Sequence, residues 1–596
     1  MKKRRLILGT LISAAMVAPA TAATSEQSSP EDLLNPAYMS AALCGPQGQN
    51  HGKLFKVPET MTAINWRFWE RSKPAPADGP PLFDNLGDYT YTISTKEPLA
   101  QDYFNQGLRL TYGFNHLEAI AAYKKAQELD PTCAMCFWGE AFAWGSNLNL
   151  PMLPEAIEPA YLAITRAREL SENATEKEKD LIRALATRYS PDPNADRAGL
   201  NEAFADAMAE LAAKYNDDAD INTLYADSLM NISPWDYWER DQVTPKGRQG
   251  GSVAVLENVL AQDPDHPGAI HLYIHAVEAS TTPERAEPYA DQLADLMPGS
   301  GHMVHMPSHI YYRVGRFKDS IDANADAIEA DEEYFEQVNA DGIYPFVYYP
   351  HNVHFLMASA LMAGDSKRSL RAARKLDALI PDEFAKLEPT AQPIKLAPLY
   401  AMARFAEAEE VLAVPKPSDD LPLIVAMWHY ARGEALIRNG DIEGAQKEGA
   451  AIEAIQGMKE LDALTDRLVP GPGIVEVAKQ VLAARIAQAN GDREEAVDHF
   501  EKAVAAQDEL NYTEPPYWYY PVRQSLGAAL ISAGRAAEAK KVLNDSLIKY
   551  PNNAWALFAL SQAQKATGDM AAARTTEKLF RKAWYGRGSV IELGEI

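Results

Sequence analysis

The stretch Ala100–Thr132, AQDYFNQGLRLTYGFNHLEAIAAYKKAQELDPT, decides the fold. From Gln101 onward apolar residues return with helical spacing, interrupted at Gly, Asp and Pro, and the pattern recurs to about Trp584. The expectation is an all-α chain. Upstream, Thr24–Ala100 is rich in Pro, Gly and Ser without sustained periodicity, and reads as an extended segment packing on the first helices; its His51 reads as a solvated loop residue.

Within the quoted stretch Gly107, Ala119, Tyr123, Ala126 and Pro131 fall at positions 8, 20, 24, 27 and 32 of a 34-residue unit, and this resembles the tetratricopeptide (TPR) repeat. Small residues at positions 8 and 20 let two helices approach closely, and the proline stops the second. Further copies carry Gly315 with Ser320, Gly364 with Ser369, Gly440 with Ala445, Gly491 with Ala496, Gly534 with Ala539 and Gly568 with Ala573, while Ala286 and Pro298 mark a unit starting at Pro267. The resemblance implies a TPR-like α-solenoid, a right-handed superhelix of helix–turn–helix repeats. The expected organisation is a leader over 1–22, an irregular segment over 23–100, repeats over 101–264, a histidine-rich set over 265–380 and C-terminal repeats over 381–596, with irregular stretches near Asn173–Gly251 and Phe384–Pro417.

Composition is that of a globular protein, 47% apolar and 23% charged, with a formal net charge of −26 over 596 residues. So acidic a surface argues against nucleic acid and anionic membranes as main partners. Lys2-Lys3-Arg4-Arg5, the apolar run Leu6–Val17 and Ala20-Thr21-Ala22 read as a secretory leader cleaved near Ala22. Arg4-Arg5-Leu6-Ile7-Leu8 also resembles a twin-arginine signal, and either route leads to the periplasm or beyond. The apolar run is too short for a comfortable membrane span, and no later stretch offers an integral segment. The cysteines are Cys44, Cys133 and Cys136. Cys133-Ala134-Met135-Cys136 reads as a disulfide or as idle thiols, with metal or redox chemistry as the alternative; no His follows Cys136, so c-type haem attachment is not signalled.

Eight of the twelve histidines lie in Asp265–Met362, where an even spread would put about two. Residues three and four apart share a helix face, so His271 and His275, then His302, His305 and His309, then His351 and His354 form three stripes. In the TPR family positions 2, 5, 9, 12 and 13 of the first helix line the concave groove. His271, His275 and Glu278 take positions 5, 9 and 12 of the unit starting at Pro267. His302, His305, His309, Tyr312 and Arg313 take all five in the unit starting at Gly301, and His351 with His354 take 2 and 5 in the unit starting at Pro350. The resemblance therefore implies a groove lined by seven histidines and one glutamate. Imidazole is the commonest ligand for late transition metals, and a site with little carboxylate favours copper or zinc, with iron also open. Seven imidazoles exceed the needs of one ion, so one or two ions are expected, with His271, His275, Glu278, His302, His305, His309, His351 and His354 as candidate ligands and His305 foremost.

Tyr312 and Arg313 are the candidate catalytic groups, to orient an anion or donate a proton. Met303 and Met306 read as packing rather than thioether ligands. His266 reads as a cap before Pro267, His116 as core, and His429 and His499 as structural. The aromatic run Tyr344–Pro350 reads as an apolar wall, and Ser233–Trp238 as a lid or a core anchor. No phosphate loop, His-Glu-x-x-His motif or nucleophile elbow is present. Three functions stay open: an exported metalloenzyme acting as oxidoreductase or hydrolase on a small-molecule substrate, a metal storage or delivery module, and a scaffold holding a protein or peptide partner in the groove.

Overall fold

A computed structural model describes residues 79–338, 340, 344–586 and 591–596. The leader and His51 lie outside the described residues. Among the described residues the chain is all-α, a TPR-type solenoid of antiparallel helical hairpins packed in sequence order. No helix is long and apolar enough to cross a membrane.

The glycines of the sequence pattern explain why one hairpin follows another. Gly315, Gly364, Gly440, Gly491, Gly534 and Gly568 all take the left-handed conformation, with φ of 77°, 75°, 76°, 87°, 80° and 82°. Each ends the first helix of its pair in the same way. The N–H after Gly364 donates to the Ala360 carbonyl at 2.9 Å, and that after Gly534 to Leu530 at 2.8 Å, closing the wide loop of a helix C-terminus that only a residue at positive φ permits. Asp365, Asp441 and Asp569 then cap the second helix with a side-chain oxygen.

Position 8 works by contact. A Cβ placed on Gly107 would lie 2.7 Å from the Tyr123 ring, and one on Gly527 2.5 Å from Leu543, so the small residue of one helix receives the large one of its partner. Gly107→Ala is expected to lower stability by about 1–3 kcal/mol, the usual penalty of overpacking, seen as a lower urea midpoint; an unchanged midpoint would show that the pair can slide apart freely.

Residues 79–97 run without helix along the first hairpin, where Asn105 Oδ1 accepts from the Tyr91 N–H at 3.2 Å and Pro80 O from the Tyr103 hydroxyl at 2.9 Å. The stretches expected to be irregular are also helical, over Glu176–Ala186, Arg197–Lys214, Ala219–Met230 and Gln392–Phe405; they lack the glycine turn, not the helices. Cys133 and Cys136 form a disulfide.

The late repeats return onto the middle ones. Trp555 Nε1 donates to the Leu361 carbonyl at 3.0 Å, the Tyr585 N–H to Ala363 at 2.8 Å, and Lys318 Nζ to the Lys582 carbonyl at 2.7 Å. The last repeats thus pack against the end of the helix Tyr349–Ala363, which carries His351.

Candidate metal centre

The three stripes meet. His271 and His275 stand on the helix Pro267–Val277, His302 and His305 on Gly301–His305, His309 on Pro307–Arg313, and His351 on Tyr349–Ala363. The middle stripe is one helix interrupted where Pro307, lacking an N–H, cannot bond to the preceding turn. Two sets of three imidazoles result, His271, His275 and His302, and His305, His309 and His351, with the nitrogens of each set within 4.8 Å of one another. All six are buried, the most exposed at 3%. The groove reading therefore needs correcting, because these side chains line a sealed interior.

Which nitrogen faces inward is set by what holds the other. His271 Nδ1 lies 2.6 Å from the Tyr112 carbonyl. His305 Nδ1 lies 2.6 Å from Asn324 Oδ1, and the Asn324 amide is pinned because its Nδ2 donates to Ser320 O at 2.7 Å. Glu278 reaches one imidazole of each set, Oε1 at 2.8 Å from His275 Nδ1 and Oε2 at 2.6 Å from His309 Nδ1. An acceptor at Nδ1 keeps the proton there and turns Nε2 inward as a bare lone pair, the usual preparation of a histidine for a metal.

The inward nitrogens then crowd each other. His305 Nε2 and His309 Nε2 are 2.8 Å apart, and His271 Nε2 and His302 Nε2 are 3.1 Å apart. Two lone pairs that close repel unless a proton or a metal ion sits between them. With nitrogen–metal bonds of about 2.0–2.1 Å, two ligands of one ion sit near this separation. His275 Nε2 is buried with no hydrogen-bond partner at all. A donor set of six imidazoles, four of them in two facing pairs and one with an orphaned Nε2, fits metal ions.

Burial presses these imidazoles toward the neutral form. Burial lowers His309 to about 4 against the pull of Glu514, while His271 is lowered to about 3 and His275, His302, His305 and His351 go well below the ordinary value, chiefly through burial and further through the like charge of neighbouring imidazoles. The carboxylates move the other way, again through burial: Glu278 lies well above the ordinary value and Glu514 is raised to about 8.

Glu278 was expected as a ligand. The structure sets it behind His275 and His309, although its oxygens also come within reach of a shared ion with those two residues. His354 is buried but belongs to none of the three donor sets. Tyr312 packs its ring on Phe317 and Phe355 in a small apolar cluster. Arg313 donates to the Ser280 carbonyl at 3.0 Å and lies over the Tyr512 ring at 5.3 Å. Met303 and Met306 are core residues. His266 caps its helix, Nδ1 accepting from the Ala269 N–H at 3.1 Å.

Several residues around the centre carry no spacing signal. Glu514 comes from the far end of the chain, its Oε2 buried without a hydrogen bond and 3.4 Å from His309 Nδ1, while the Tyr512 hydroxyl is bonded to Glu514 and lies 3.4 Å from Glu278 Oε2. Asn324 sits on the second helix of its hairpin. Tyr344 receives the His302 N–H at 2.9 Å and donates to the buried Asp331 at 2.9 Å, which also takes the Asn352 amide at 2.7 Å. Gly301 leaves room for that carboxylate, since a Cβ there would clash with Asp331.

If each triad holds an ion, Glu278→Gln is expected to weaken binding at both by about 10–100-fold, the usual effect of removing an orienting partner. Competition with a chromophoric chelator measures it; a loss confined to one ion would show that the carboxylate serves only one triad.

No family model matches the chain, and no protein of curated function matches it in sequence. Its fold is similar to solved helical-repeat structures at low identity. The human IFIT1 dimer with m7Gppp-AAAA is 12% identical, with 84% of this chain and 92% of that one covered, at a TM-score of 0.30. The APC/C hetero-tetramer Cut9–Hcn1 is 14% identical, covering 81% and 76%, at 0.29. Yeast Tom70 is 13% identical, covering 82% and 92%, at 0.26. Similarity this distant says nothing about the centre, which rests on the side chains of this chain alone.

Proposed function

We propose that the protein is an exported metalloprotein whose repeats enclose two transition-metal ions, one held by His271, His275 and His302 and the other by His305, His309 and His351. The observation that carries this reading is the 2.8 Å approach of His305 Nε2 to His309 Nε2, both with Nδ1 anchored on acceptors. All-imidazole donors favour copper or zinc, and iron fits less well with so little carboxylate. Three protein ligands per ion would leave a coordination position open, and such an ion would supply Lewis acidity or electron transfer to a molecule bound there. This supports a metal-dependent oxidoreductase or hydrolase. Glu278, Asn324 and the Tyr112 carbonyl hold the imidazoles in register. Arg313, beside Tyr512 and within the field of Glu278, steadies the carboxylate pair Glu278 and Glu514.

The complete burial of the six histidines supports a second reading, a store from which copper or zinc is handed on without chemistry. A scaffold for a protein partner stays open on the outer repeat surface, where nothing requires the histidines. The leader and the Cys133–Cys136 disulfide support the periplasm as the place of action. The test is metal content by mass spectrometry on protein purified without a histidine tag. Two ions retained against mild chelators, with exchangeable water, support the first reading; rapid loss to a chelator supports the second; no bound metal sinks both.

A further inference from the structure

Among the described residues five that are not glycine take positive φ, and two of these, Phe114 and Trp235, are aromatic. Phe114 lies against His271, His275 and His302, and Trp235 against His275. Phe114 occupies position 15 of the first hairpin, the register at which the later repeats put Gly315, Gly364 and their equivalents, and it closes the same turn: its N–H donates to Thr111 O at 3.1 Å and the next N–H to Leu110 O at 2.9 Å. Ending the helix needs only glycine there. A phenylalanine at φ 55° is strained, and strain of this kind persists where the side chain has a task.

That task is visible in the rings. Phe114 stacks on His275 at 6.2 Å and 7°, and on His302 at 5.5 Å and 25°, and leans on His271 at 4.4 Å. Trp235, at φ 63°, presents its ring to His275 at 5.1 Å and 82°, and its Nε1 is fixed by Asn149 Oδ1 at 3.0 Å. His275, whose Nε2 has no partner, is thus clamped between two aromatic rings. Past Phe114 and His271 lies a cavity of about 20 Å³, lined also by Thr111, Thr223 and Asp227. A water needs about 10–15 Å³ measured in this way. The Thr223 hydroxyl is fully buried without a partner.

Resting on the two-ion reading, we propose that Phe114 and Trp235 are positioning residues which hold the His271/His275/His302 triad and restrict its open position to a water-sized ligand such as water, hydroxide or dioxygen. Phe114→Leu keeps apolar bulk but loses the flat face, and Phe114→Gly removes the ring while suiting the backbone. Each variant and the wild type are measured for urea midpoint without metal, for Zn²⁺ affinity by chelator competition, and, loaded with Co²⁺, for spectral change on adding imidazole.

Phe114→Leu is expected to keep a midpoint close to wild type and to bind one of the two ions at least tenfold more weakly. The Phe114→Gly protein is expected to show an imidazole-dependent shift of the Co²⁺ spectrum that the wild type lacks, and Trp235→Phe, which loses the Asn149 bond, an intermediate loss of affinity. Wild-type affinity for both ions in every variant, with imidazole still excluded, would overturn the assignment and leave the rings as packing. A wild type that binds no ion refutes the two-ion reading itself, and this inference falls with it.

Discussion

His305→Ala is expected to cost one of the two proposed ions. The His305 ring is the hub of the centre, with His309 at 4.7 Å, His351 at 4.8 Å and His302, a member of the other triad, at 6.0 Å between ring centres. On the two-ion proposal its removal would take from one ion a third of its protein donors, and it leaves His309 Nε2 facing empty space. It also strands Asn324 Oδ1, and a buried acceptor without its donor costs about 1–3 kcal/mol of fold stability. The measurement is metal per chain after dialysis against a weak chelator, beside a denaturation midpoint. His354→Ala is the control: that residue lies in the neighbouring turn but in neither triad, so its metal content is expected to stay at the wild-type value. Equal stoichiometry in His305→Ala and wild type would remove the basis for the paired triads.

The second large effect concerns acid. In the metal-free protein His116 and His309 are lowered to about 4, and His271 and His354 to about 3, burial being the main cause for each. An unfolded histidine titrates near 6.5. As pH falls through 6.5 the unfolded chain takes protons that the folded chain refuses, so each of these groups removes about 1.4 kcal/mol of stability per pH unit until its folded value is reached. Buried carboxylates oppose this. Glu514 at about 8, Asp331 at about 7 and Asp227 at about 6 hold protons in the folded state that the unfolded chain binds only near pH 4, so they add stability as pH falls toward that value.

His275, His302, His305 and His351, also lowered by burial, join the destabilising side and Glu278 the other, so between roughly pH 6.5 and 4.5 the histidines outnumber the carboxylates, eight protons against four. Below that range the unfolded carboxylates also take protons, the compensation ends and the fall steepens. The metal-free protein is therefore expected to show a urea midpoint that falls steadily from about pH 6.5 and to unfold before about pH 4. Urea melts at half-unit steps check it, and a midpoint that holds to pH 3.5 would show that the histidines accept protons without unfolding. Bound metal adds stability at neutral pH by mass action, and acid removes it because protons compete for the same nitrogens.

The three stripes were legible because helical spacing is local. His271 with His275, His302 with His305 and His309, and His351 needed only the 3.6-residue period and the repeat register to be placed on one side of three neighbouring hairpins. His354 shows the limit: register put it with His351, but being three residues on left it out of the shared space. Phe114 could have been noticed as the residue standing where later repeats have glycine. Glu514 and Tyr512 could not, because nothing in the spacing of a loop more than two hundred residues downstream points to Glu278.

The sequence by itself determined the hairpins, through Gly107 against Tyr123 and glycines such as Gly364 that end one helix and release the next, and it determined which histidines share a face. Both follow from interactions within a turn or two of helix, where residue type and spacing suffice. Only the tertiary structure decided that the groove is sealed, that Glu278 stands behind two imidazoles, and that Nε2 rather than Nδ1 faces the centre. These depend on the late repeats returning onto the middle ones, and on which acceptor meets each ring, contacts between chain segments whose distance in sequence carries no periodic trace.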